Sequence, residues 1–343
     1  MKRILIIAPN WIGDAVLSQP LLKAIQKTYP TSSIDVLASP WVAPIYRACK
    51  ETDRVIEVDL VHGSLQWQVR KQIAKQIRTS SYDAAFVLPN SLKSALIPWL
   101  AKIPIRIGYL GEMRLGLINR ILPNPKKSQR MPMVERYLSL SRKLGISASS
   151  EEESNQPKLE VQLNQLSSLE KKLQLQSIHP NQLILFAPGA EFGPAKRWPA
   201  DHFRALANLI LNNHSQAHII LIGSKNDIEI SASICENVEE KNRIHNWCGK
   251  TTLEEVIALI KISRELVSND SGLMHIGAAL HVDQIALFGS SDPKHTPPLS
   301  KKARIIYLGL ECSPCHQRIC PLGHLNCLRK ITSERVYAMM KPD

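Results

Sequence analysis

Short, unbroken apolar runs recur along this chain, and the stretches between them carry helical periodicity. A run that is apolar at every position has no face left for water. It belongs to a strand covered on both sides, and intervening helices supply the cover. In the first half this pattern predicts strands over 3–8, 34–38, 55–58 and 84–88, with helices over 14–28 and 64–78. In the second half it predicts strands over 183–187, 218–223, 266–268, 284–288 and 304–308, with helices over 200–212, 228–238, 253–262 and 273–280. Residues 147–157 (SASSEEESNQP) are polar, acidic and aperiodic, which fits a linker or a long loop inside one domain. A new strand–helix series resumes after Pro180, so the economical architecture is α/β with two Rossmann-like, doubly wound domains, 1–160 and 161–343, facing each other across a cleft. The length of 343 residues suits two domains. Ligands of such sheets bind beyond the carboxyl ends of the strands, so the strand-to-helix turns are where chemistry is expected.

The charge balance narrows the partners. Lys and Arg number 43 against 30 Asp and Glu, a formal +13, which describes either a basic solvated surface or a partner rich in negative charge. No RNA- or DNA-reading motif accompanies the charge. Aromatic residues make up only 5%, too few for a base-stacking surface, so nucleic acid is not expected as a partner. A membrane surface or a phosphate-bearing substrate stays in front. The apolar run at residues 4–8 is too short for a signal sequence and ends at Pro9-Asn10-Trp11, and no stretch approaches a bilayer span. The expectation is a soluble, cytoplasmic protein that docks at most on a membrane surface. Seven cysteines agree with a reducing compartment.

Four turns stand out. The first strand runs into Pro9-Asn10-Trp11-Ile12-Gly13-Asp14, where Gly13 permits a tight backbone. Asp14 there is either a helix N-cap or a carboxylate able to take a proton from a substrate hydroxyl. No GxGxxG follows this strand, which removes the main support for a dinucleotide oxidoreductase. The fourth strand leads into Pro89-Asn90-Ser91-Leu92-Lys93-Ser94, and Arg106, Arg114, Arg136 and Tyr137 come after it. Basic groups gathered in one domain suit a multiply anionic acceptor. The second half opens with PGAEFGPAKRWP, residues 188–199, a Gly- and Pro-punctuated loop able to wrap phosphates, with Lys196 as a point charge. Finally Asn269-Asp270-Ser271-Gly272-Leu273-Met274-His275 ends a strand and starts a helix. Amides of Ser271, Gly272 and Leu273 at that N-terminus would face an anion, and Gly272 would let it come close. The plainer alternative is an N-cap at Asp270.

Near the end, Cys312, Cys315, Cys320 and Cys327 give C-x2-C-x4-C-x6-C, with His316 and His324 among them. A closed four-thiolate zinc, an Fe–S site and plain reduced thiols all fit this spacing, and a second C-x2-C is missing.

Taken together, residues 9–14 (PNWIGD), 89–95 (PNSLKSA), 111–114 (GEMR), 188–199 (PGAEFGPAKRWP), 269–275 (NDSGLMH) and 296–298 (TPP) resemble the ADP-heptose:lipopolysaccharide heptosyltransferases of glycosyltransferase family 9, nearly end to end. PNSLKSA and GEMR favour the branch that adds the second heptose over the branch that adds the first. The resemblance implies a GT-B fold with an N-terminal acceptor domain and a C-terminal donor domain. It implies inverting transfer of L-glycero-D-manno-heptose from ADP-heptose to the first heptose of the inner core, on heptosyl-Kdo2-lipid A at the inner-membrane surface. By resemblance Asp14 is the general base and Lys196 the contact to the donor phosphates. Gly189, Ala190, Asp227, Thr251, Asp270, Ser271, Gly272, Leu273 and His275 bind the donor. Asn10, Trp11, Gly13, Asn90, Ser91, Lys93, Arg114 and Arg136 are the acceptor-side candidates. No Asp-x-Asp occurs, so no metal is expected in catalysis; the cysteines carry no role over from the family. The rivals are the first-heptose branch and a non-catalytic nucleotide-sugar binding module.

Overall fold

The computed structural model describes residues 1–61, 63–125, 131–146, 155–174 and 176–341. Most of the predicted linker, residues 147–154, lies outside the described residues. The chain divides into two compact units, Met1–Glu160 and Val161–Asp343.

The first unit carries β1 (Arg3–Ile7), β2 (Ser33–Ala38), β3 (Arg54–Glu57), β4 (Ala84–Val87), β5 (Ile105–Tyr109) and β6 (Arg120–Leu122). They form one parallel sheet in the order β3-β2-β1-β4-β5-β6. The second unit carries β7 (Leu183–Ala187), β8 (His218–Leu221), β9 (Ile244–Asn246), β10 (Glu265–Asn269), β11 (Gln284–Phe288) and β12 (Ala303–Tyr307). Their order is β12-β11-β10-β7-β8-β9, again parallel throughout. Counted from its own first strand, each sheet runs 3-2-1-4-5-6, the Rossmann order.

That order dictates where ligands bind. The chain leaves β1 toward β2 on one side and returns as β4 on the other, which opens a crevice at the carboxyl ends of β1 and β4. The equivalent crevice in the second unit lies beyond β7 and β10. All four turns singled out from the sequence emerge at these points: 9–14 after β1, 89–94 after β4, 188–199 after β7 and 269–275 at the end of β10.

The central strands are fully covered, as their composition requires; every residue of β7, β10 and β11 is buried. In the second unit Phe186, Trp198 and Phe203 meet within one core, with ring centroids 4.8 Å apart for Trp198–Phe203 and 5.5 Å for Phe186–Phe203. In the first, Leu5, Ile7, Ala85 and Val87 pack against Ala74, Ile77, Ala95 and Ile97. Buried Asp35 accepts from Arg3 (3.0 Å), Arg54 (2.9 Å) and the Tyr82 hydroxyl (2.5 Å). That network ties three strands together near their amino ends, away from the crevice.

Three strands went unforeseen: β5 (IRIGY), β6 (RIL) and β9 (IHN). Two are three-residue sheet edges, and all three carry a polar or charged residue that breaks the apolar run.

Candidate active site

The 188–199 loop is held at both ends by one side chain. Asn269, the fully buried last residue of β10, accepts from the Trp198 amide at 2.9 Å and donates to the Pro188 carbonyl at 2.8 Å. Trp198 itself is buried and its indole donates to the Ile331 carbonyl at 2.9 Å. Midway, Gly193 sits at φ +151°, where a Cβ would lie 2.6 Å from the Arg318 carbonyl. A side chain there is excluded on both counts.

The loop thus fixed, Lys196 reaches across to β10. Its Nζ lies 2.5 Å from Oδ2 of Asp270, and the Ser291 hydroxyl donates to that same oxygen. Lys196 is 18% exposed and Asp270 4%, so the pair is largely withdrawn from water. The ammonium also lies over the Phe192 ring, 5.1 Å from its centroid.

Asp270 is not a helix cap. The helix Gly272–Ala279 has Ser271 as its N-cap, with no side-chain capping bond, and the Ser271 hydroxyl is buried without a partner among the described residues. First-turn amides of a helix have no intrahelical acceptor, and here the N-cap side chain makes no bond to them. They and the positive end of the dipole give a seat for an anion beside Lys196. His275 is buried one turn in, and burial pushes its imidazole down to about 4; Asp270 opposes that shift and Lys196 adds to it. It is therefore a neutral ring at pH 7, with Nδ1 unpartnered among the described residues.

Gly189 and Asp227 also come together. A Cβ at Gly189 would sit 2.3 Å from Oδ1 of Asp227, so only glycine lets that carboxylate close on the β7 turn. Asp227 Oδ2 accepts from the Ser224 amide and hydroxyl, both at 2.8 Å, and Arg197 stands 3.9 Å from Oδ1. The carbonyl of buried Ala190 accepts from Arg197 at 3.3 Å. Leu273 falls in the first turn of the Gly272–Ala279 helix. Thr251 follows β9 at the sheet edge, its hydroxyl buried and unpartnered among the described residues.

In the first unit Asp14 lies in the first turn of the helix Ile12–Thr28, whose N-cap is Trp11. The capping alternative for Asp14 is thereby set aside. Its Oδ1 accepts from the Tyr137 hydroxyl at 3.1 Å. Burial first, then the Asp14 charge, pushes the Tyr137 phenol well above its ordinary range, so it stays a donor. Trp11 is exposed, and beside it the indole of exposed Trp41 donates to the Asn10 carbonyl at 2.8 Å. Gly13 belongs to the same first helical turn as Asp14.

The acceptor-side candidates after β4 separate into two groups. Asn90 is exposed, and Lys93 is half-buried in the first turn of the helix Leu92–Leu100, for which Ser91 is the N-cap. Arg114, expected at an anionic acceptor, is instead a structural clamp. It is 1% exposed, and its guanidinium donates to the carbonyls of Tyr109 (2.9 and 2.6 Å), Pro89 (2.6 Å) and Ser91 (3.4 Å). Burial lowers its pKa to about 10, which leaves it charged but turned inward. Arg136 stacks on the Tyr109 ring at 4.2 Å and donates to Asn124 at 2.8 Å, yet remains half-exposed.

Sequence reasoning missed Ser291, the second donor to Asp270. The hydroxyl pair Ser290-Ser291 follows β11, and β11 neighbours β10, so knowing the strand order would have found it. It also passed over Tyr137 as a mere neighbour of Arg136.

The four clustered cysteines line one cavity of about 20 Å3 with Ala195, Ser290 and His324. Among the described residues, no three His, Cys, Asp or Glu side chains already stand at metal-coordinating positions.

Two doubly wound units, the second with an anion seat at its switch point, define the GT-B class of sugar-transfer fold. Known proteins agree. The model of glycosyltransferase family 9 (heptosyltransferase) matches residues 70–326. Lipopolysaccharide heptosyltransferase 2 of Escherichia coli K12 is 39% identical over 97% of this chain and 96% of its own, and that of Salmonella typhimurium is 41% identical over the same shares. The solved structure of E. coli ADP-heptose lps heptosyltransferase II superposes with a TM-score of 0.84 at 37% identity, covering 98% of this chain and 97% of that one. The chain belongs to glycosyltransferase family 9, the heptosyltransferases.

Proposed function

We propose that this enzyme moves L-glycero-D-manno-heptose from ADP-heptose to the first heptose of the lipopolysaccharide inner core, with inversion. The observation that carries the donor half is the meeting of Lys196, Asp270 and the uncapped Gly272–Ala279 helix at one switch point. Breaking the sugar–phosphate bond leaves charge on the departing ADP. A lysine and a helix N-terminus aimed at it stabilise the transition state more than the ground state. Neutral His275 adds a hydrogen-bond donor without another charge.

Asp14 is the base that takes the acceptor hydroxyl proton, and the Tyr137 hydroxyl holds its carboxylate in place. Asn10, Trp11, Asn90, Ser91, Lys93 and Arg136 form the acceptor side; Arg114 leaves that set. Lys196 and the helix end take over the part a divalent metal plays on other diphosphates, so catalysis needs none. The acceptor is anionic and lipid-borne, and the +13 charge suits docking on the cytoplasmic face of the inner membrane. No helix among the described residues is long and apolar enough to cross a membrane. The near full-length likeness to heptosyltransferase 2 supports the choice of acceptor. An acceptor-resolved transfer assay tests it.

A further inference from the structure

Cys312, Cys315, Cys320 and Cys327 face one cavity of about 20 Å3, room for a single small occupant. Cys327 is buried and the other three are half-buried, while Cys49, Cys235 and Cys248 lie elsewhere in the chain. The turns that present these thiols adopt left-handed backbone at non-glycine residues, His316 (φ +55°) and Leu325 (φ +53°). Such conformations persist where surrounding structure over-determines them.

The cysteine segment is also bonded to both sides of the donor site. The Arg318 carbonyl, between Cys315 and Cys320, accepts from the Ala195 amide at 3.0 Å, next to Lys196. The His316 amide donates to the Ser290 carbonyl at 2.7 Å, next to Ser291. Lys196 and Ser291 are the two side chains that hold Asp270.

We propose that these four cysteines close as thiolates on one thiophilic divalent ion of the zinc or iron class, and that the ion braces the backbone that positions Lys196 and Ser291. Among the described residues no three of these side chains yet stand together at metal-coordinating positions, so closing on the ion turns each thiol about its own Cα–Cβ bond. Four S–H protons leave to solvent, four sulfur–metal bonds replace the ion's waters, and no electron is transferred. Four thiolates leave no open position, so the ion is structural rather than catalytic. The site is independent of which sugar the enzyme transfers.

The test uses the full chain purified without a histidine tag from cells supplied with zinc and iron. Metal analysis and native mass spectrometry are expected to find about one ion per chain, with the four thiols resisting alkylation until a chelator strips it. Cys320→Ser lowers the metal content about tenfold or more, whereas Cys235→Ser, outside the cluster, leaves it unchanged. Should Cys320→Ser not fold, stripping the wild-type chain carries the test. Hydrogen exchange at the Ala195 and His316 amides then rises, and reloading zinc reverses it. Less than about a tenth of an ion per chain, with alkylation of all four thiols indifferent to added zinc, overturns the site. Exchange at both amides unmoved by stripping overturns the brace.

Discussion

Lys196 Nζ stands 2.5 Å from Oδ2 of Asp270, and that carboxylate oxygen also accepts from Ser291. The lysine proposed to meet the donor phosphates is thus oriented from behind before any phosphate arrives. Lys196→Ala is expected to lower kcat by about 10²-fold, the usual effect of losing one donor to developing charge. Lys196→Arg keeps the charge but not the point geometry and recovers only part. Steady-state kinetics with ADP-heptose decide this; an unchanged kcat in Lys196→Ala would remove the lysine from the chemistry.

Asp14→Asn retains an acceptor for the Tyr137 hydroxyl, so the fold should survive the change. The proposed base is lost, and kcat is expected to fall by about 10²- to 10⁴-fold while the KM for donor stays put. A donor KM that rises with kcat unaltered would instead place Asp14 in binding.

Arg114 tests the distinction between substrate and structural arginines. Removing it leaves the carbonyls of Tyr109 and Pro89 without their buried donor. Arg114→Ala should cost about 3 kcal/mol of stability in urea unfolding. Arg114→Lys should also destabilise, since an ammonium has no fork to span them. Full stability in Arg114→Ala together with a raised acceptor KM would return the residue to the acceptor site.

His275 gives the fold a pH dependence. Its imidazole is held at about 4 in the folded chain against an ordinary 6.5. The unfolded chain therefore binds the proton first as pH falls. The contribution is intact above 6.5, is lost progressively as pH drops toward about 4, and falls no further below that. His275→Gln is expected to flatten this stretch of the stability–pH curve. Identical slopes for both proteins would mean the ring is not buried neutral.

Most of the fold was legible because a parallel sheet buried on both faces writes itself as apolar runs: β7 and β11 coincide with their predicted bounds. β5, β6 and β9 were not legible, since Arg106, Arg120 and His245 interrupt runs already short. Of the candidate site, Lys196 and Asp270 come together 74 residues apart, as turns at the carboxyl ends of two neighbouring strands should. The destination of a side chain is harder to read. Arg114 and Arg136 look alike in sequence, yet one is buried under carbonyls and the other is half-exposed on Tyr109. Ser291 needed the β10–β11 pairing, which is a tertiary fact.

The transfer itself is measured directly by offering purified enzyme ADP-heptose with either Kdo2-lipid A or its mono-heptosylated form. Heptose is expected on the mono-heptosylated acceptor, with little on the bare one. Preferred transfer to Kdo2-lipid A, or none to either, would contradict the proposed function.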